Sequence, residues 1–135
     1  MNVFDFFNLY LLENKKLIYF LLQSIKDCIP KEYREKYVLQ LDCINKIQWV
    51  LDVEANLYFD NDNLCKEYLI SKWEQEKKIA EIVLTVQSNK KYIVNFFVVN
   101  GRIFSIESNL PFRYLKLSQI QDIEILCNKE VENKS

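Results

Sequence analysis

The chain contains no histidine, and this absence narrows the chemistry that it can perform. Histidine is the commonest general base, and it completes the Ser-His and Cys-His pairs of many nucleophilic enzymes. Acidic residues remain as candidates for acid–base or magnesium chemistry in three close pairs, Asp52 with Glu54, Asp60 with Asp62, and Asp122 with Glu124. Each pair also suits the solvent side of a strand or a turn, which is the commoner role of such residues. We therefore predict a protein that is not an enzyme and that needs no metal or cofactor.

Glycine is nearly absent as well, since Gly101 is the only one in 135 residues. A single glycine excludes the glycine-rich phosphate loops of nucleotide-binding proteins. Gly101 follows Asn100 between two apolar runs in the segment VVNGRIF. Asn-Gly readily adopts the two positive φ angles of a type I′ turn, so the pair predicts a tight hairpin.

That hairpin has apolar residues on both predicted faces. With a two-residue turn, Val99 faces Arg102, Val98 faces Ile103 and Phe97 faces Phe104. One face then carries Ile93, Phe97, Phe104 and Ile106, and the other carries Val94, Phe96, Val98 and Ile103 with Ser105 and Glu107. We expect the hairpin to be buried at the centre of a sheet or to meet another chain.

Neither sign of charge is in excess, because 18 Lys and Arg residues accompany 19 Asp and Glu residues. Such a balance creates no field that attracts nucleic acid or an anionic membrane. The apolar N-terminal stretch is interrupted by charged residues and does not reach the roughly 18 apolar residues of a membrane span. It also has neither the basic start nor the cleavage site of a signal peptide. We expect a cytoplasmic protein with no nucleic-acid or membrane partner.

Cysteine is present four times but in no recognisable pattern. Cys28, Cys43, Cys65 and Cys127 form no CxxC pair. Zinc sites of small domains usually combine such pairs with one another or with histidine. We therefore predict free thiols that pack as small hydrophobic residues.

Apolar residues recur at helical spacing in the first half of the chain and alternate in the second half. The helical spacing predicts helices at about 2–12, 15–28, 31–45 and 64–76. The alternation predicts an antiparallel β-meander with strands at about 79–87, 91–99, 102–108 and 121–127. Helices followed by strands predict a single α+β domain over 1–135, with a mainly helical part at 1–78, a sheet at 79–128 and a frayed tail at 129–135.

Residues 46–55 fit two structures. The alternation of Ile47, Trp49 and Leu51 with polar neighbours indicates a strand. The spacing of Tyr37, Leu41 and Ile44 would instead let the preceding helix continue. We favour continuation of the helix, because no helix-breaking residue intervenes.

One local charge asymmetry suggests a binding surface. The segment DVEANLYFDNDN at 52–63 has four acids, no base and two adjacent aromatic residues. Acidic charge speeds association with a basic protein, and aromatic residues often supply binding hot spots. We predict that the partner-binding residues are Asp52, Glu54, Tyr58, Phe59, Asp60 and Asp62. The alternative is a solvated acidic loop whose aromatic side chains point into the core.

The hairpin and its flanking strands carry a resemblance to a known class of protein. Residues Asn100–Glu107, with strands before them and a last strand near 122–127, resemble the C-terminal half of small bacterial immunity proteins encoded beside polymorphic toxins, including those of contact-dependent growth inhibition. The resemblance covers roughly residues 79–127 and assigns no functional residue.

This resemblance implies a non-catalytic, cytoplasmic protein that binds a cognate toxin tightly and blocks or distorts its active site. Many such toxins are nucleases. The alternative is a structural or adaptor domain that self-associates as a homodimer through the second apolar face of the sheet.

Overall fold

The computed structural model describes residues 15–59 and 66–128, and these form helices followed by an antiparallel sheet. The helical part contains α1, which covers residues 15–24, two short 3₁₀ turns, Lys26–Cys28 and Lys31–Tyr33, and α2, Arg34–Leu41. The strands are β1, Ile44–Val50, β2, Glu54–Phe59, β3, Lys77–Val86, β4, Lys91–Val99, β5, Arg102–Ser108, and β6, Ile120–Cys127. The predicted α+β fold class is confirmed. The helix predicted at 2–12 lies outside the described residues.

The helices and one face of the sheet share a single hydrophobic core. In α1 the apolar spacing places Leu17, Leu21 and Ile25 on one side, and all three are fully buried. They belong to the same cluster as Val94 and Phe96 of the sheet. The predicted helix at 15–28 is thus α1 followed by a 3₁₀ turn, and α2 is shorter than the predicted helix at 31–45.

The six strands lie in the order β1-β2-β5-β4-β3-β6, and every neighbouring pair is antiparallel. The Asn-Gly hairpin therefore occupies the centre of the sheet, while β1 and β6 form its edges. The predicted strands at 79–87, 91–99, 102–108 and 121–127 correspond closely to β3, β4, β5 and β6.

The preference for helix at 46–55 is wrong, because the chain forms the β1–β2 hairpin there. Trp49 faces Ala55 across the hairpin, and Ile47 faces Leu57. The turn residues Leu51 and Asp52 have φ angles of 50° and 59°. This left-handed conformation is usually supplied by glycine or asparagine, so the turn carries no strong sequence signal. The alternation of Ile47, Trp49 and Leu51 with polar neighbours correctly indicated a strand over the first part of this segment.

The helix predicted at 64–76 is also wrong over most of its length, because only Lys66 is helical among its described residues. The chain instead wraps around the turn of the central hairpin. The Ile70 amide donates to the Gly101 carbonyl at 2.8 Å, and the Gly101 amide donates to the Trp73 carbonyl at 2.8 Å. Backbone groups that a helix would pair internally are satisfied here by the hairpin turn.

Gln40 joins α2 to the turn of the central hairpin and to the irregular segment that wraps around it. Its side chain is only 1% exposed. The Nε2 atom donates to the carbonyl oxygens of Tyr68 at 2.6 Å and Gly101 at 2.7 Å, and Oε1 accepts from the Ile103 amide at 3.2 Å. A buried amide group with these partners ties the helix, the irregular segment and the hairpin together.

The register of the central hairpin differs from the prediction beyond its turn. Asn100 and Gly101 have positive φ angles of 53° and 85°, and Val99 faces Arg102 and Val98 faces Ile103 as predicted. An irregularity then places Phe97 opposite Ser105 rather than Phe104. Such a bulge adds one residue to one strand and shifts the faces beyond it.

The bulge moves Ile106 to the other face of the sheet. Ile106 now lies opposite Phe96 and is fully buried with it in the core. The prediction that Ile106 shares a face with Phe97 is therefore wrong. The prediction that Ser105 and Glu107 share a face with Phe96 is wrong for the same reason, because they lie opposite Phe97 and Asn95. The face of Phe96 is the core face, and the opposite face, which carries Ile93 and Phe97, is only partly buried.

A disulfide contradicts the prediction of free thiols at two of the four cysteines. Cys28 and Cys127 are bonded across a sequence separation of 99 residues. Cys28 lies in the 3₁₀ turn after α1, and Cys127 ends the edge strand β6. Sequence spacing could not reveal this pair, because only the packing of the helices on the sheet brings the two residues together. Cys43 is a thiol, and Cys65 lies outside the described residues.

Candidate functional site

The sheet face opposite the core, called the outer face here, is the surface most suited to recognition. Its strand residues alternate with the buried ones, and several apolar or aromatic side chains on it remain exposed: Val50 by 39%, Tyr58 by 48% and Ile93 by 39%. Exposed apolar residues that share one face, accompanied by polar groups, are typical of protein-binding surfaces.

The predicted residues Asp52 and Glu54 lie at one end of the β1–β2 hairpin. Asp52 is in the turn, where its Oδ1 atom lies 3.4 Å from Nη1 of Arg113. Its carbonyl oxygen also accepts a hydrogen bond from the Phe112 amide at 2.9 Å. Asp52 therefore holds the segment after β5 in place, whereas Glu54 begins β2 on the outer face.

The predicted aromatic pair is divided between the two faces. Tyr58 lies on the outer face, opposite Lys46, and its hydroxyl donates to Oε1 of Gln48 at 2.7 Å. Phe59 points the other way and packs against the hydrophobic core. Of the two aromatic residues, only Tyr58 lies on the same face as Glu54. Asp60 and Asp62 lie outside the described residues.

A carboxyl pair on the outer face is the most unusual feature of this surface. Glu54 of β2 faces Glu107 of β5 directly across the strands. Their carboxyl groups lie within hydrogen-bonding distance of each other. Like charges directly opposite each other destabilise a sheet. This pair is the clearest polar feature of the outer face that sequence reasoning missed, because the pairing of β2 with β5 cannot be read from spacing along the chain.

Two further polar side chains accompany the carboxyl pair. Asn95 of β4 faces Glu107 on its other side, and Ser105 precedes Glu107 by two residues on the same face of β5. Asn95 Oδ1 and Ser105 Oγ are both buried and have no hydrogen-bond partner within the described part of the chain. Buried polar atoms are normally paired, so these two atoms are exceptions beside the carboxyl pair.

The carboxyl pair predicts a pH dependence of stability. The hydrogen bond to Glu54 raises the pKa of Glu107, and burial and the charges of Glu54 and Glu76 act in the same direction. A carboxyl group with a raised pKa binds its proton more tightly in the folded state. Its contribution therefore stabilises the fold at low pH and is lost as the pH rises through the raised pKa.

We expect Glu107→Gln to remove this pH-dependent loss and to be more stable than the wild type near neutral pH. Urea unfolding between about pH 4 and pH 7 measures the effect, and the difference between the two proteins isolates Glu107. Glu124→Gln, an exposed carboxylate on β6, is the matched control and should follow the wild type. Parallel stability curves for Glu107→Gln and the wild type would contradict the assignment.

Of the three carboxylate pairs noted in the sequence, Asp52 with Glu54 and Asp122 with Glu124 lie among the described residues, and neither belongs to a metal-binding cluster there. No group of three or more His, Cys, Asp or Glu side chains is placed there to hold a metal ion. Asp122 and Glu124 lie along edge strand β6, opposite Thr85 and Val83. A groove of about 430 Å³ lies elsewhere, and its described lining includes Lys90 and Tyr92 but none of the predicted site residues.

No helix in the described ranges combines the length and the apolar character needed to cross a membrane. The chain matches no protein-family model, no curated protein and no solved structure.

Proposed function

We propose that this protein is a non-catalytic binding protein, an immunity protein that binds a cognate bacterial toxin and neutralises it. The observation that carries the proposal is the composition of the outer face. It combines an exposed aromatic residue, Tyr58, and exposed apolar residues with a carboxyl pair that has no cationic partner among the described residues. The resemblance of residues 79–127 to immunity proteins points in the same direction.

A surface of this kind suits a basic partner. Aromatic side chains contribute a large share of binding energy at protein interfaces, and complementary charge speeds association. Enzymes that act on nucleic acid present basic clefts to the phosphate backbone. The Glu54–Glu107 carboxyl pair on this face is therefore complementary to the basic active-site side of a nuclease, and the toxin is proposed to belong to that class.

Tyr58→Ala is expected to weaken binding of the toxin by about 30-fold, because an aromatic side chain at a binding hot spot contributes about 2 kcal/mol. Binding of the purified chain to the product of the neighbouring open reading frame, measured by calorimetry, tests this. Tyr114→Ala serves as the control, since Tyr114 is also exposed, by 56%, but lies outside the sheet. Equal losses of toxin affinity in both variants would show that the effect is not specific to Tyr58 and would contradict its place in the interface.

The acidic residues that follow β2 in the sequence belong to the same proposal. Changing Asp60 and Asp62 together to lysine is expected to lower toxin affinity without changing the thermal midpoint. The loss should shrink at high salt, because screening weakens interactions between exposed charges. Unchanged affinity at low salt would exclude these two residues from the interface.

We propose that the protein acts in the cytoplasm, where a toxin that enters the cell must be neutralised. Disulfides are rare in that compartment, so this localisation predicts that the Cys28–Cys127 bond, which the structure contains, is largely reduced in cells. Alkylation of denatured protein after rapid acid quenching of cells tests this. Quantitative recovery of the disulfide would contradict cytoplasmic residence.

Self-association is the alternative function, and the exposed apolar residues on the outer face favour it. Ile93 is 39% exposed, and Phe97 is partly exposed beside it. Two copies joined through this face would bury these residues in an isologous interface. Light scattering at micromolar concentration distinguishes the two functions, since the adaptor function requires a stable homodimer that Ile93→Lys disrupts.

A further inference from the structure

We infer that the Glu54–Glu107 carboxyl pair is the receptor for an arginine side chain of the partner protein. The inference rests on the proposed function, because it assigns the chemical group that the toxin presents to the outer face. The acidic segment at 52–63 indicates only that the partner is basic. The carboxyl pair specifies where on the outer face the basic group binds and which group it is.

Among the described residues, the Glu54–Glu107 pair lacks a counter-ion. Along the row that crosses the sheet through Glu54, Glu107, Asn95 and Glu81, only Glu81 has a cationic partner, Lys78, at 2.9 Å. Within the part of the chain that the structure describes, Glu54 and Glu107 form no ion pair. Two adjacent carboxylates without a cation repel each other, so a cation placed between them removes an unfavourable interaction as well as adding a favourable one.

Two buried polar atoms beside the carboxyl pair have no hydrogen-bond partner among the described residues. Ser105 is 1% exposed, and its Oγ atom has no hydrogen-bond partner among the described residues. Because Ser105 and Glu107 are two residues apart in one strand, both side chains point to the outer face. Asn95 Oδ1, directly across from Glu107, is likewise buried and unpaired. The carboxyl pair therefore stands beside two polar atoms that still require a partner.

The atoms of this site are mainly hydrogen-bond acceptors. The carboxylate oxygens and Asn95 Oδ1 accept hydrogen bonds, and Ser105 Oγ can also accept one. The missing group must therefore be rich in donors. A guanidinium group carries five N–H donors in a planar fork and is weakly hydrated, whereas an ammonium group carries three donors around a point charge. Strand neighbours about 5 Å apart suit the wide fork better than the compact ammonium group.

The test uses N-acetyl-arginine amide as the probe and the whole chain, with two-dimensional NMR as the readout. We expect saturable shifts of the amide resonances of Glu54, Ser105 and Glu107, with a dissociation constant on the order of millimolar. The uncharged analogue N-acetyl-citrulline amide at the same concentration should cause none. The double variant Glu54→Gln with Glu107→Gln should bind arginine at least about tenfold more weakly, as expected for loss of charge-assisted hydrogen bonds.

The matched control is Asp122→Asn with Glu124→Gln, which removes two carboxylates from the same face at the edge strand β6. This control should bind the probe as the wild type does. An equal loss in both double variants would show that only general charge is sensed, and it would overturn the inference. Equal shifts with N-acetyl-lysine amide, or stronger shifts with calcium chloride, would also overturn it.

The experiment needs no toxin, so its outcome is separate from that of the proposed function. Arginine binding at the carboxyl pair without toxin binding would leave the site intact and remove the immunity function. Toxin binding that is unaffected by the Glu54→Gln, Glu107→Gln double variant would retain the immunity function and overturn the arginine receptor.

Discussion

Reduction of the disulfide between Cys28 and Cys127 is expected to lower the free energy of unfolding by about 4–5 kcal/mol, the value that chain entropy assigns to a closed loop of roughly 100 residues. The sequence separation of the two cysteines is 99 residues, so the bond restricts most of the described chain in the unfolded state. It also joins the 3₁₀ turn after α1 to the edge strand β6. Without it, β6 should open before the rest of the sheet, because an edge strand has only one neighbour.

Guanidinium unfolding with and without a phosphine reductant measures the effect. The matched variant is Cys28→Ala with Cys127→Ala, which should unfold like the reduced wild type and show no further response to reductant. Hydrogen exchange should become faster in β6 than in β4 when the bond is reduced. A wild-type midpoint that is unaffected by reductant, with the thiols shown to be reduced, would contradict this account of stability.

Gly101→Ala is expected to destabilise the fold by about 2–4 kcal/mol, the sum of backbone strain and crowding at this position. The φ angle of Gly101 is +85°, a region that costs a residue with a Cβ atom roughly 1–2 kcal/mol. An added Cβ would also lie 3.0 Å from Cβ of Leu69 and 3.3 Å from the backbone nitrogen of Ile70. Any shift to relieve this crowding would strain the two 2.8 Å hydrogen bonds that join Gly101 to Ile70 and Trp73.

Thermal and urea unfolding measure the loss, and Asn100→Gly provides the control. Asn100 also has a positive φ, 53°, but its side chain is exposed, and glycine adopts this conformation without strain. The control should change stability by less than about 1 kcal/mol. A Gly101→Ala variant as stable as the control would show that the segment around Ile70 does not pack on the turn in solution.

The parts of the fold that were predictable are those with strong local signals. Asn100 and Gly101 supply both the turn and its type, and the alternation around them predicts the flanking strands. The β1–β2 hairpin lacks such a signal, since Leu51 and Asp52 form its turn without glycine. The apolar residues of the segment containing Ile70 and Trp73 have helical spacing, and they therefore predict a helix. The backbone hydrogen bonds of this segment go instead to the turn at Gly101, which is distant in sequence.

The candidate site was only partly predictable for the same reason. Glu54 and Tyr58 were predicted from the local excess of acidic and aromatic residues, and the structure places both on the outer face. Glu107, Asn95 and Ser105 join them only through the pairing of β5 with β2 and β4, which depends on contacts between residues far apart in sequence. Period-2 patterns assign a residue to a face but not to its neighbours in the next strand.

Gly101, the only glycine of the chain, has a structural role beyond forming its turn. Its turn is the point where α2, through Gln40, and the irregular segment, through Ile70 and Trp73, meet the sheet. The core face is thereby fixed to the helical part. The opposite face keeps the exposed residues and the carboxyl pair on which the proposed function depends.

The most direct test of the proposed function is the activity of the neighbouring gene product in the presence of this protein. We expect one equivalent of the purified chain to abolish that activity, whether nuclease or another toxic activity, and co-expression to restore growth of cells that produce the toxin. The Tyr58→Ala variant should need a higher concentration for the same inhibition, and Tyr114→Ala should not. Full toxin activity in the presence of excess folded protein, with no complex detected, would contradict the immunity function.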